Sequence, residues 1–260
     1  RGGKQNYRSP PKTPEAIRRR RSTANKMLAI LKAALNRAYK EGDLATDADW
    51  ASVKPFRDVD AAKIRYLTEA EAKRLVNACV PDLKAIVTGA LLTGSRYGEL
   101  ANLMANDFDA EARTLHIAKS KSGKARNIAL TDEGVDFFSQ LIAGSVGDDV
   151  IFSRASGSKW GHAQQTRPIK EACHAAKITP EIGFHILRHT YASRLAMKGV
   201  PMFVIAQQLG HADTRMTEKH YAHLSPSYVA DTIRAALGDM GLVEASNIVE
   251  ISSKQQSTGG

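Results

Sequence analysis

The stretch TLHIAKSKSGKARNIAL (residues 114–130) decides what kind of fold the rest of the chain can build. Leu115 and Ile117 alternate with Thr114 and His116, and Ile128 and Leu130 alternate with Asn127 and Ala129. Period-two alternation on both sides of a turn marks two strands that each bury one face. The turn, Lys119-Ser120-Lys121-Ser122-Gly123-Lys124, is basic and holds a glycine suited to a chain reversal. Nothing else in the chain reads so clearly as sheet. The expected fold is therefore mainly α (α+β): a helical domain with one small antiparallel β-sheet, preceded by a partial helical domain.

Helical spacing dominates on either side of the hairpin. Met27, Leu28, Leu31, Leu35 and Ala38 predict a helix over 23–41, capped by Ser22 or Thr23 and stopped at Gly42. Residues 43–65 read as a connector. Thr68 followed by Glu71 is a capping box and opens a helix to about residue 79. Residues 85–92 form a nearly all-apolar helix, and TGSRYGEL (93–100) breaks it with two glycines before a new one. Helices are expected over 131–144 and 167–177, with a short strand at Ile151-Phe152 between them. Gly199 ends the helix that follows 183, and Pro201 starts the next, which stops at Gly210. Asp213 caps a helix carrying Tyr221, and a last helix covers 227–240. Boundaries follow at 1–14 (flexible tail), 15–60, 66–245 and 246–260 (disordered tail).

The net charge of +10 is unevenly placed. Residues 1–65 hold 16 Lys+Arg against 7 Asp+Glu, and the other 195 residues hold 21 against 20. A basic module joined to a near-neutral body points to a polyanion, most often nucleic acid, whose bound counterions are released on contact. Arg18, Arg19, Arg20, Arg21 and Lys26 lead that module, and Lys119 and Lys124 flank the hairpin turn. Two cysteines are too few for a disulfide framework, which fits a reducing compartment. No apolar run is long enough to span a membrane, and no export signal is visible. The missing initiator Met suggests a fragment.

The chemistry centres on GFHILRHTYAS (183–193). His185 and His189 at i and i+4 are a familiar metal-binding spacing, but the zinc-protease pattern needs a Glu where Ile186 stands. Arg188 beside both imidazoles would oppose a dication, so no metal is expected. His185 and Arg188 three apart share a helix face and suit an anionic oxygen pair, because guanidinium binds phosphate in a fork. The pair fits a structural role equally well, with His on a carbonyl and Arg on an acid. The helix-Gly210-helix segment also resembles a helix-turn-helix reader of DNA.

Taken in order, TGSRYGEL, KSKSGK, HILRHT and LGHADTRMTEKHYAHL (209–224) resemble the tyrosine recombinase (phage integrase) family over about residues 66–240, and weakly over 15–60. The resemblance implies a catalytic domain at 66–245 and part of a core-binding DNA clamp at 15–60. It implies active-site arginines Arg96 and Arg188, active-site histidines His185 and His211, the hairpin lysine Lys121 and the nucleophile Tyr221. His185 would assist Tyr221, Lys121 would protonate the leaving oxygen, and His189 would be structural. Three positions depart from the common pattern: Ser95, Ile186, and the ten-residue step from His211 to Tyr221. The implied function is site-specific strand cleavage and rejoining through a 3′-phosphotyrosyl intermediate, integrating or excising a mobile element. It requires no cofactor, acts on double-stranded DNA as a homotetramer across two duplexes, uses accessory DNA-bending proteins, and belongs in the bacterial cytoplasm at the nucleoid. A type IB topoisomerase or a non-cutting DNA-binding regulator remains the alternative.

Overall fold

The computed structural model describes residues 10–57, 59, 65–118, 125–224 and 233. Lys119, Lys121, Lys124 and the expected helix at 227–240, apart from residue 233, lie outside the described residues, as does the final tail. The chain divides into two compact units, Arg1–Ile64 and Arg65–Gly260. No helix among the described residues is long and apolar enough to cross a membrane.

In the first unit, α1 spans Pro14–Lys40 and starts well before the predicted residue 23. Pro14 sits where its missing N–H is not needed, and the Thr13 hydroxyl accepts the Ala16 amide. Glu15 in the first turn then pairs with Arg18 and Arg19 at i+3 and i+4, so the arginine run extends the helix rather than preceding it. After Gly42 the chain runs back along α1. Trp50, in the short helix α2 (Ala48–Ala51), donates to Asn36 Oδ1 at 2.6 Å. The Asn25 amide takes both the N–H and the C=O of Phe56 at 2.8 Å, and Arg18 Nη1 reaches the Val59 carbonyl at 2.7 Å. The expected connector is thus strapped to the helix it follows. No residue of α1 is buried, and Met27, Ile30 and Leu31 are exposed.

In the second unit, α3 (Glu69–Ala78) opens on the predicted capping box. The Thr68 hydroxyl accepts the Glu71 amide at 3.2 Å, and Glu71 Oε2 accepts the Thr68 amide at 2.9 Å. Helix α4 (Pro81–Thr93) is apolar nearly all round because it is buried, with Leu83, Ile86, Val87 and Ala90 in the core. It stops at Gly94, whose φ of +66° is left-handed, and α5 (Tyr97–Leu100) follows. The sheet is antiparallel in the order β1 (Phe108–Asp109), β2 (Thr114–Ile117), β3 (Arg126–Ala129). Leu115 faces Ile128 across it, both fully buried, as the alternation requires. The two-residue β1 is too short to leave an alternation in the sequence. Helices α6 (Asp132–Leu141) and α7 (Thr166–Ala175) follow. No strand forms at Ile151-Phe152, although Val150 and Ser153 on either side make isolated bridges. Phe152 turns into the core against Phe138 instead, near enough to Gly89 that a Cβ there would sit 2.6 Å from its ring. Helices α8 (His185–Met197), α9 (Met202–Leu209) and α10 (Arg215–Tyr221) follow, and a 3-10 turn covers Ala222–Leu224. The main core joins α3 to α8 with the sheet, and a second apolar cluster gathers Ala192, Ala196, Ile205, Leu209 and Tyr221.

Candidate active site

Helix α8 carries His185 at its first position and Arg188 one turn later, on the face that meets α4 and α9. Arg188 is only 3% exposed. Its Nη1 donates to the Gly94 carbonyl at 3.0 Å and its Nη2 to the Leu209 carbonyl at 2.6 Å. Both acceptors lie at helix C-termini, where carbonyls lack partners within the helix and a cation is favoured. Burial, then the like charge of Arg96, brings the Arg188 pKa down to about 10, which still leaves a cation at neutral pH. Among the described residues, two of its five N–H groups are used, both on these carbonyls.

Arg96 stands at the start of α5, where Glu99 holds it twice. Glu99 Oε2 accepts the Arg96 backbone amide and Oε1 accepts its Nη1, both at 2.9 Å. Glu99 is 5% exposed in its side chain and also receives Arg126 Nη2 at 2.8 Å and Nη1 at 3.2 Å. Burial opposes the Glu99 charge, but the hydrogen bonds from Arg126 and the Arg96 amide outweigh it and hold the carboxyl below the usual range. Three arginines around one carboxylate and the Gly94 and Leu209 carbonyls leave this corner cationic.

His211 follows the left-handed Gly210 that ends α9. Its Nδ1 lies 2.8 Å from the hydroxyl of the fully buried Thr217, which leaves Nε2 as the other functional nitrogen. Burial, then the charges of Arg188 and Arg96, brings its pKa down to about 4. The same causes, burial first and Arg188 next, lower His185. Arg96, His185, Arg188 and His211 line one cleft of about 410 Å³, with Gly210, Ala212, Asp213 and Met216 completing it.

Tyr221, the last residue of α10, is 2% exposed and does not appear among the cleft residues. Its hydroxyl is 2.6 Å from His189 Nδ1. Burial raises its pKa to about 12 despite the pull of Arg188. Burial, then the neighbouring His185, brings His189 down to about 4, so this imidazole is neutral at neutral pH. The two histidines whose spacing looked metallic meet edge-to-face at 4.7 Å between ring centres.

The structure therefore brings four of the six expected site residues to one cleft and buries the fifth, Tyr221, against His189, while Lys121 falls outside the described residues. In the first unit Arg18 is held by Glu15 and the Val59 carbonyl, and Arg21 lies over the Phe56 ring at 5.4 Å. Arg19, Arg20 and Lys26 are exposed. Sequence reasoning left His189 as structural and did not single out Glu99 or Arg126. One signal was available. Arg126 falls on the same strand face as Ile128 and Leu130, where a charge needs a buried partner.

Residues 65–227 match the model of the phage integrase family. The integrase of Salmonella phage P22 is 29% identical over 217 residues, 80% of this chain and 55% of that protein. The crystal structure of XerA recombinase superposes with a TM-score of 0.54 at 27% identity, covering 72% of this chain and 71% of that one. The catalytic domain of bacteriophage HP1 integrase gives 0.51 at 26% identity, covering 69% of this chain and 98% of that one. The chain spans less than two thirds of the length of the first curated relatives it matches: 55%, 58% and 59%.

Proposed function

Because this chain belongs to the phage integrase family, we propose that it cuts and rejoins double-stranded DNA at a specific site through a covalent 3′-phosphotyrosyl intermediate. The observation that carries this reading is the convergence of Arg96, His185, Arg188 and His211 on one cleft. A phosphodiester under attack by oxygen gathers negative charge on its non-bridging oxygens, and preorganised donors aimed there are worth roughly 3–4 kcal/mol each. The two guanidiniums take those oxygens, with the imidazoles of His185 and His211 beside them. Tyr221 Oη attacks phosphorus and passes its proton to His189 Nδ1, already within hydrogen-bond distance. The P–O5′ bond breaks, and Lys121 on the hairpin turn gives the departing oxygen a proton. The phosphotyrosyl ester keeps the bond energy, so a new 5′-hydroxyl reverses the step without a nucleotide cofactor.

The site must open for DNA to meet Tyr221, which is 2% exposed here, and His189 stays beside the hydroxyl as it does. The basic first unit, through Arg19, Arg20, Arg21 and Lys26, grips the backbone, and Lys119 and Lys124 add further phosphate contacts. The working assembly is a homotetramer on two duplexes, aided by DNA-bending proteins, at the bacterial nucleoid. Incubation with a nicked duplex carrying the recombination site tests the reading. The expected result is a covalent protein–DNA adduct that Tyr221→Phe abolishes; no adduct with the native chain, or an adduct surviving that substitution, overturns it. Strand exchange between two duplexes separates recombination from topoisomerase activity.

A further inference from the structure

Arg126 has no part in the mechanism above, yet it is placed where three elements of the site meet. It opens β3, opposite Ile117, with its side chain 8% exposed. Its Nη2 and Nη1 grip both oxygens of Glu99, and its Nε donates to the Gln208 carbonyl at 3.0 Å. Gly210 lies against it so closely that a Cβ there would stand 2.9 Å from Arg126 Cδ. Glu99 holds Arg96, and Gln208 directly precedes the Leu209-Gly210-His211 turn. One side chain from the hairpin strand therefore touches the anchor of Arg96 and the support of His211.

We propose that Arg126 is a positioning residue, the counter-charge that shares Glu99 so that Arg96 keeps donors free for the scissile phosphate. The inference rests on the phosphotyrosyl reading above. A buried carboxylate that loses one of two cationic partners draws harder on the other, because an uncompensated charge in a dry site is costly. Without Arg126, Glu99 has Arg96 alone, and the guanidinium turns from the cleft toward the acid. The Nε contact adds a second effect, since the turn before His211 loses a donor on the Gln208 carbonyl.

The test is single-turnover adduct formation by the full chain on a nicked duplex, made once with a normal scissile phosphodiester and once with a methylphosphonate. The methyl group removes the non-bridging charge that Arg96 neutralises, so a defect acting through Arg96 shrinks on that substrate. Relative to the native chain, Arg126→Ala is expected to be about a hundredfold slower on the phosphodiester and within about threefold on the methylphosphonate, as a lost oxyanion donor would be. Arg126→Lys keeps the charge and loses the fork, so its defect on the phosphodiester is about tenfold and again nearly absent on the methylphosphonate. The lysine variant decides the matter if the alanine variant does not fold. Equal losses on both substrates, or no loss on either, overturn the inference. A native chain that forms no adduct overturns the underlying function instead.

Discussion

Under the proposed mechanism the group beside the Tyr221 hydroxyl is His189 rather than His185, with its Nδ1 2.6 Å away. We expect His189→Asn, which keeps a hydrogen-bonding atom near Nδ1 but cannot take a proton, to slow adduct formation about 10²–10⁴-fold, the usual worth of a positioned base. A rate within twofold of native, measured by denaturing gel over a time course, would exclude His189 from that role. The same histidines set a pH dependence of stability. His189 and His211 fall to about 4 in the folded chain from an ordinary value of 6.5. Between those limits the unfolded chain binds more protons, so stability is full above about pH 6.5 and is lost as pH falls toward 4. Thermal melts across that window should show a falling Tm, and His189→Asn should flatten the slope; a Tm independent of pH there would count against the buried neutral pair. Arg96, His185, Arg188 and His211 were legible in the sequence because each sits in a short motif at a helix end. His189 and Thr217 were not, because their roles depend on partners on another helix or across a turn.

Local rules decided which elements could be read in advance. The Thr68 capping box and the Gly94 and Gly210 stops are complete within a few residues, and each appears where the sequence placed it. The start of α1 was misplaced because Pro14 and the Glu15 pairings outweigh the cap expected at Ser22 or Thr23. Phe152 was misread as strand because its place in the core depends on Gly89 and Phe138, far away in sequence. Gly94 joins element to site: its φ is +66°, a Cβ would meet Tyr191 Cδ1 at 2.4 Å, and its carbonyl holds Arg188. Gly144 has a φ of +85° with nothing within 4 Å of a Cβ. Gly144→Ala therefore carries only backbone strain, about 1 kcal/mol, while Gly94→Ala adds about 1–3 kcal/mol of overpacking. Urea unfolding should rank them in that order, and only Gly94→Ala should also slow adduct formation. The reverse ranking would mean that Tyr191 yields freely and that the turn is held by something other than its packing.

At the scale of the whole molecule, charge and chemistry are kept apart. Residues 1–65 contain 16 of the 37 basic residues and only 7 of the 27 acidic ones, whereas all the cleft residues belong to the second unit. Affinity and cleavage should therefore respond to different substitutions. Each phosphate neutralised by a basic side chain steepens the fall of log K with log salt by about 0.9. Arg19 and Lys26 are exposed on α1, and neither is needed to hold the return segment, the work done by Arg18 and Asn25. Replacing both by Gln should flatten the salt dependence of DNA binding by up to about 1.8 in log–log slope. The rate of adduct formation at saturating DNA should stay at the native value, because no group at the cleft has changed. Fluorescence anisotropy over a salt series gives the slope, and single-turnover cleavage gives the rate. An unchanged slope would place the phosphate contacts elsewhere than on α1. A lost rate at saturation would mean that the basic helix does more than hold DNA and also sets its position over Arg96 and Arg188.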